Sequence, residues 1–140
     1  MESSPTNQKP DSLILEFFQR VWSPPHDLDA IDELMAEDYR ITNAGTIIRG
    51  REAFKTWVKE FQQLLLEAKT ESVDMFFDKN ETKVVSRWVC SGKNNGLFGL
   101  DPDDRPISFT GMAIWTVSQG KLTECWVERS AYELFKELVS

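Results

Sequence analysis

The order of periodic segments along this chain of 140 residues predicts an α+β fold. In the first half, apolar residues recur at the spacing of amphipathic helices, whereas from Glu71 onward they alternate, as in strands with one buried face. Turn-forming residues separate the later strands, which indicates hairpins and a mostly antiparallel sheet. Three N-terminal helices on one strongly curved sheet predict a cone-shaped barrel whose mouth can hold a ligand, and a short C-terminal helix completes it.

Capping residues and apolar stripes define the three N-terminal helices. The first follows a cap at Asp11 or Ser12 and ends before Pro24-Pro25, and the second starts from a cap at Asp29. The third opens at Gly50 and is predicted to run through REAFKTWVKEFQQLLLEA, residues 51–68. Its apolar residues keep helical spacing: Phe54, Trp57, Val58, Phe61, Leu64 and Leu65.

Six strands are expected in all: Tyr39–Asn43, Ile47-Ile48, Glu71–Phe77, Thr82–Ser91, Ile107–Val117 and Leu122–Arg129. Alternation puts Val73, Met75 and Phe77 on one face of the third strand, and Val84, Ser86, Trp88 and Cys90 on one face of the fourth.

The last strand has the most unusual face. Simple alternation gathers one apolar residue, one large aromatic, two carboxylates and a hydroxyl on it: Leu122, Glu124, Trp126, Glu128 and Ser130. This mixture indicates a polar-lined pocket. The alternative is an ordinary antiparallel strand with one solvent-exposed face.

Composition narrows the class of protein. A net charge of −7 argues against nucleic acid and anionic membranes as partners, and 41% hydrophobic residues supply enough apolar mass for a core. The sequence contains no run of about 18 apolar residues, the length that a transmembrane helix requires. Its N-terminus also lacks the pattern of a secretory signal. We expect a flexible tail over residues 1–10 and a single domain over residues 11–140.

Cysteine and histidine usage gives no metal or redox motif. Cys90 and Cys125 fit no ligand or redox spacing and are expected to be reduced, packed thiols, which favours a cytoplasmic protein. His26, the single histidine, is expected in a solvated loop, and one histidine excludes the common two- and three-His zinc sites. No phosphate loop or nucleophile elbow is present, so no metal and no cofactor is expected.

Six short motifs occur in order at sensible spacings: Ala36–Tyr39, Arg49–Phe54, Ser86–Trp88, Gly96–Gly99, Gly120–Trp126 and Leu134–Leu138. With them, the sequence from about Leu13 to Leu138 resembles the SnoaL-like polyketide cyclase group of the nuclear transport factor 2-like superfamily. The resemblance implies a cone-shaped α+β barrel with a hydrophobic pocket, commonly dimeric through the outer face of the sheet. A homodimer that binds a small hydrophobic or aromatic ligand is therefore expected.

The resemblance also implies a mechanism, ring closure by an aldol step. In the cyclases an acid, usually Asp, stands four residues after the tryptophan of the last strand, and a His often precedes the middle-loop glycine motif by two residues. This sequence has Ser130 and Asn94 at those positions. A hydroxyl cannot replace a carboxylate as a base at pH 7, and an amide cannot shuttle protons, so the mechanism does not carry over as it stands.

Glu128 is the nearest substitute carboxylate, two residues before Ser130. In a pocket beside Trp126 it would be desolvated, which raises a carboxyl pKa towards useful values for general acid/base catalysis. The alternative is a strand-end glutamate that is solvated or paired with Arg129 or Arg87.

The other candidate residues are ligand contacts. Trp88 and Trp126 are predicted to stack on a flat ligand, with core packing as the alternative. Tyr39 and Asn43 are placed to hydrogen-bond a carbonyl oxygen, although Asn43 also suits the turn that follows it. Asn94 and Ser130 are expected to line the same pocket.

Three functions remain open at this stage. The first is a pocket protein that catalyses proton transfer, such as cyclisation or isomerisation, with Glu128 as the base. The second is a non-catalytic binding or carrier module that uses the same pocket. The third is a scaffold with a filled core, against which an open cavity of roughly 300 Å³ or more would count.

Overall fold

The computed structural model describes residues 9–140, which fold as four α-helices, six strands and one short 3₁₀ helix. The helices are α1 (Pro10–Arg20), α2 (Ala30–Leu34), α3 (Arg51–Leu64) and α4 (Ala131–Val139). The strands are β1 (Met35–Asn43), β2 (Thr46–Arg49), β3 (Leu65–Phe77), β4 (Lys83–Asn94), β5 (Pro106–Ser118) and β6 (Lys121–Arg129). The 3₁₀ helix covers Leu97–Gly99.

The strands form one open, mixed sheet in the order β2-β1-β6-β5-β4-β3. Every neighbouring pair is antiparallel except β1 and β6, which run parallel. Helix α1 packs on β3 and α3 packs on β1, so both helices cover the inner face of the sheet. This arrangement confirms the predicted α+β cone, with the qualification that the sheet does not close into a barrel.

The N-terminal helix begins earlier than predicted. Pro10 is buried and occupies the first turn of α1, where its missing N–H loses no helical hydrogen bond, and Lys9 stands at the N-cap. Asp11 therefore lies inside the helix and does not cap it. Pro10 and its N-cap Lys9 are therefore part of the ordered helix start, and the other residues of the predicted tail, 1–8, lie outside the described residues.

Helix α3 ends four residues before the predicted boundary. The fully buried Leu65 starts β3 and pairs with Asn94 of β4, so sheet pairing overrides the helical spacing of the sequence here. Asn95 satisfies the end of the helix, because its backbone N–H donates to the carbonyl of Leu64 and its side-chain amide donates to that of Gln63.

Two of the β-bulges in the sheet fall within predicted strands and change which of their side chains face inward. In β6, Thr123 is the extra residue, because Leu122 pairs with Val117 whereas Glu124 already pairs with Thr116. In β3, Val73 is the extra residue, and it is exposed and separated from the face of Met75. The predicted common faces of both strands are therefore wrong.

The bulge in β6 has the larger consequence. Leu122 is fully buried, but beyond the bulge the inner face passes to Cys125, Val127 and Arg129. Glu124, Trp126 and Glu128 point to the outer face instead. A single inserted residue reverses the in/out assignment of the rest of the strand, because side chains alternate with a period of two.

The two cysteines are unpaired and buried, as predicted. Cys90 lies on β4 and Cys125 on β6, and β5 runs between them in the sheet, so no disulfide can join them without rearrangement. Within residues 9–140, no helix is both long enough and apolar enough to cross a membrane.

Candidate ligand-binding site

A cavity of about 50 Å³ lies inside the cone, between the helices and the inner face of the sheet. Ten of its seventeen lining side chains are aromatic, so the walls favour flat, apolar molecules. Its size leaves room for roughly three or four water molecules. A typical organic ligand needs a larger space, and binding one requires some aromatic side chains to turn.

Helix α3 supplies a stacked aromatic wall to this cavity. Trp57 and Phe61 lie one turn apart and stack with ring centroids 5.4 Å apart at an interplanar angle of 9°. Trp22 of the region after α1 meets both rings edge-on, at 6.3 Å and 5.8 Å. Trp57 and Phe61 are only partly buried, which makes them the wall residues with the most freedom to turn.

Two buried polar groups meet at the cavity, the Tyr39 hydroxyl and the Trp115 indole N–H. They lie near each other and near the Cys125 thiol, but neither polar atom makes a hydrogen bond of good geometry. Buried polar groups are nearly always well paired, so two poorly paired groups in one cavity call for a specific explanation. These atoms can form hydrogen bonds with an oxygen of a bound molecule.

The Cys125 thiol, which lies beside the Tyr39 hydroxyl, is protonated at neutral pH. Burial raises the pKa of Cys125 to about 12, and burial likewise raises the pKa of Cys90 and moves the pKa of Tyr39 well above its ordinary value. None of the three side chains can act as a base near pH 7.

Among the described residues, Arg129 is the one charged side chain of the cavity lining. It is partly buried, and its Nη1 donates a hydrogen bond to Oδ1 of Asn43. Its guanidinium lies 5.2 Å from the centre of the Trp57 ring, a cation–π contact. Burial lowers its pKa, but a guanidinium stays charged at neutral pH. The sequence analysis missed Arg129 as a pocket residue because the bulge at Thr123 has no local signature.

The structure brings two predicted ligand residues to the cavity, Tyr39 and Trp88. The indole of Trp88 crosses over Gly111 of β5 and meets Phe109 edge-on at 5.9 Å. Asn43 lies at the end of β1, where it orients Arg129 and is not part of the lining.

Asn94 organises the loop between β4 and β5 and does not line the cavity. Its Oδ1 accepts hydrogen bonds from the backbone N–H groups of Gly96 at 3.1 Å and Leu97 at 2.9 Å. Its Nδ2 donates to the carbonyl of Asp101 at 3.1 Å and to Oδ1 of Asp103 at 2.9 Å. All four bonds are made inside the loop, which gives Asn94 a structural role, and the expectation that it lines the cone pocket is wrong.

Trp126 and Glu128 lie outside the cone, and the expectation that they face its pocket is also corrected. Trp126 is 53% exposed on the outer face, and its Nε1 donates to Oε2 of Glu128 at 3.2 Å. Glu128 instead borders a second, open depression of about 310 Å³ on the outer side of the sheet. The bulge at Thr123 is the physical reason for both corrections.

Ser130 stands at the junction of β6 and α4 and is likewise absent from the cone lining. Its Oγ accepts a hydrogen bond from the backbone N–H of Thr110 at 3.0 Å, and its carbonyl accepts from Leu134 in the first turn of α4. The position that bears the acid in related cyclases here ties the last strand to the last helix.

A curved, open sheet that encloses an aromatic cavity against its helices defines the nuclear transport factor 2-like class of α+β cones. Within that class, the SnoaL-like domain model matches residues 14–125, and the chain belongs to this family.

Solved structures share the fold at low sequence identity. A proposed SnoaL-like polyketide cyclase from Jannaschia sp. CCS1 is 14% identical with a TM-score of 0.82, over 97% of this chain and 95% of the other. IdmH from Streptomyces antibioticus, a proposed polyketide cyclase, is 21% identical with a TM-score of 0.82, over 95% of this chain and 100% of the other. AclR from Streptomyces galilaeus, a proposed hydroxylase, is 15% identical with a TM-score of 0.80, over 93% of this chain and 95% of the other. The comparison with curated protein sequences finds no match.

Proposed function

We propose that this chain binds a small, flat, mainly apolar organic molecule inside its cone. The observation that supports this most directly is that the buried polar atoms of Tyr39 and Trp115, at an aromatic cavity, make no hydrogen bond of good geometry. A core filled only for stability has no use for poorly paired polar atoms, because leaving one unsatisfied costs about 1–3 kcal/mol. The polyketide cyclases among the structural neighbours support an organic ligand for this cavity.

Binding without carboxylate catalysis is the function that the geometry favours. Among the described residues that line the cone there is no Asp, Glu or His. Tyr39 and Cys125 keep their protons at neutral pH, and Arg129 cannot accept one. The cone therefore has no base for an aldol step, and our proposal gives Glu128 no part in binding.

Filling the cavity tests this proposal. Ala113 is buried in the lining, and Ala113→Val adds two methyl groups to the cavity wall. We expect purified wild-type protein to bind the neutral probes toluene and indole, with resonances shifted for cone residues in heteronuclear NMR titrations. The valine variant should bind them about tenfold more weakly, a loss of about 1.4 kcal/mol.

Glu128→Gln is the matched control, because this residue lies on the outer face. It should bind both probes like the wild type. If the glutamine variant lost binding, or if it abolished turnover of an identified substrate, the ligand site would lie at Glu128 and the cone assignment would be wrong.

We further propose a homodimer that forms through the outer face of the sheet. Four side chains form a row of cross-strand neighbours on this face: Phe76, Val85, Ile114 and Trp126. Three of the four are strongly exposed, Phe76 at 61%, Ile114 at 43% and Trp126 at 53%. A contiguous apolar patch of this kind is typical of an interaction site.

The neighbouring row of pairs supports a two-fold contact. It reads Asp74, Arg87, Met112 and Glu128 across the same four strands, with charges of both signs around the apolar row. In a two-fold dimer the same patch meets itself, so Arg87 of one copy can face Asp74 or Glu128 of the other.

Cytoplasmic residence remains a prediction from the reduced cysteines.

Ile114→Arg places a charge at the centre of the apolar row and is expected to convert the dimer to a monomer. Analytical ultracentrifugation distinguishes the two states. Leu15→Arg is the matched control, because Leu15 is 47% exposed on α1, which covers the opposite face of the sheet, and should leave the dimer intact. A wild-type protein that sediments as a monomer contradicts the dimer, as does an Ile114→Arg variant that remains dimeric.

A further inference from the structure

The guanidinium of Arg129 has no ion-pair partner in the part of the chain that the structure describes. Its hydrogen-bond partner is the neutral amide of Asn43, and the nearest carboxylate charge that acts on it is that of Glu128, which points to the outer face. A partly buried cation beside aromatic rings is expensive to desolvate without a directly paired counter-charge. Arg40 shows the contrast, since it pairs with Glu124 at 3.2 Å.

The two poorly paired groups of the cavity are also donors. The indole of Trp115 can only donate, and the hydroxyl of Tyr39 can donate or accept. Trp115 lies directly across from Cys125 on the neighbouring strand, and the Cys125 thiol lies beside Tyr39. These groups therefore form one deep polar cluster.

Arg129 marks a second position in the same cone. It follows Cys125 by four residues on the inner face of β6, so the two backbone positions are about 13 Å apart along the strand. The long arginine side chain bridges part of that distance. The cone thus presents a cation towards one end and neutral donors towards the other, with aromatic walls between them.

We propose that the ligand of the cone is a flat organic anion whose carboxylate, or an equivalent anionic oxygen, binds Arg129. A second oxygen of the ligand accepts a hydrogen bond from Trp115 or Tyr39. This inference rests on the proposed function, because it names the chemical class that the same cavity takes. A planar guanidinium suits a carboxylate, which it can hold by two parallel hydrogen bonds.

The charge of the site disfavours other classes of ligand. A cationic molecule meets the guanidinium with no carboxylate in the lining to offset the repulsion. A purely hydrocarbon molecule such as toluene can contact the aromatic walls but offers the guanidinium no acceptor. An acceptor-bearing anion satisfies the guanidinium and the deep donors together.

Two probe pairs test the charge of the ligand while holding its shape nearly constant. The first is 4-hydroxybenzoate against 4-hydroxybenzamide, and the second is acetate against acetamide, which fits the cavity without ring movement. We expect calorimetric titration of the wild-type protein to show at least tenfold tighter binding of each anion than of its amide. Arg129→Met should remove this preference, and Arg129→Lys should restore only part of it, because lysine lacks the planar fork.

Trp115 reports on the deep end of the cavity. Its indole N–H resonance, assigned with Trp115→Phe, should move downfield when 4-hydroxybenzoate binds, because a poorly paired donor acquires an acceptor. The same resonance should stay unchanged with acetate.

Arg129→Met should also unfold at the same temperature as the wild type or a higher one, since it removes an unpaired cation from an apolar site.

Arg49→Met is the matched control, because Arg49 is exposed on the edge strand β2 and does not line the cavity, and it should keep the full preference for anions. Equal affinity for the acids and their amides overturns this inference. If toluene and indole bind but no carboxylate does, the cone binds neutral ligands, and the inference fails while the proposed function stands. If carboxylate binding persists in Arg129→Met, the anion lies elsewhere and the inference fails.

Discussion

Gly111→Ala is expected to lower the free energy of unfolding by about 3 kcal/mol, at the upper end of the range for an overpacked core. A β-carbon at this position would lie 2.1 Å from Cζ2 and 2.4 Å from Cη2 of Trp88. The indole is buried against Phe109 and cannot step aside without displacing its neighbours. Because Trp88 also lines the cavity, a displaced ring should weaken ligand binding as well. Urea denaturation gives the stability change.

Replacing the large ring should relieve the clash. In a Trp88→Val background, Gly111→Ala is expected to cost less than about 1 kcal/mol, so the double-mutant cycle should show strong coupling between the two sites. An equal loss in both backgrounds would mean that Gly111 is required by the backbone and not by the Trp88 ring.

The parts of the fold that local patterns determine were predicted correctly. The apolar stripes of α1 and α3 keep helical spacing and bury Leu13, Ile14, Phe17 and Phe18 of α1 and Phe54 and Val58 of α3. Gly120 ends a two-residue hairpin turn in which Gln119 and Gly120 both have positive φ. On β4, Val84, Ser86, Trp88 and Cys90 face inward as alternation predicts, because this stretch contains no bulge. Local spacing is enough wherever the regular pattern continues.

The candidate site was predicted less well because a one-residue shift in the register of β6 decides which of its side chains line the cavity. Thr123 is compatible with a regular strand, and nothing in its neighbourhood indicates that it is the extra residue of a bulge. The family comparison counts along the sequence from Trp126, so it names Ser130 and Glu128 without showing which way they point. Only the pairing with β5 reveals that Cys125, Val127 and Arg129 reach the cavity.

Asn94 shows a different limit. The sequence motif placed it at a position that is functional in related cyclases, whereas its surroundings use it to hold the loop after β4. The difference lies in which groups its amide meets, and residues 96–103 supply all of them. A motif fixes the place of a residue in the chain, but not its hydrogen-bond partners.

Asn94→Ala is expected to lower the free energy of unfolding by about 3 kcal/mol, because it leaves two backbone N–H groups and two acceptors without their partner. The amide of Leu97 is the most costly of these, since it is buried. The loop also holds α4, through the ring contact of Phe98 with Phe135 at 5.5 Å. Hydrogen exchange should therefore accelerate in both the loop and α4, in addition to the loss seen in urea denaturation.

Asn95→Ala is the matched control: the Asn95 side chain makes one exposed hydrogen bond, to the carbonyl of Gln63, and its loss should cost less than about 1 kcal/mol. The pH dependence supplies a second check, because the Asn94 amide and then the backbone N–H of Arg105 lower the pKa of Asp103. A carboxyl pKa that is lower in the folded state stabilises the fold above its unfolded value of about 4, and this contribution is lost as the pH falls through the folded value. The stability gap between the wild type and Asn94→Ala should therefore narrow in acid, and a gap that is small at pH 7 or widens in acid would show that Asn94 does not hold the loop.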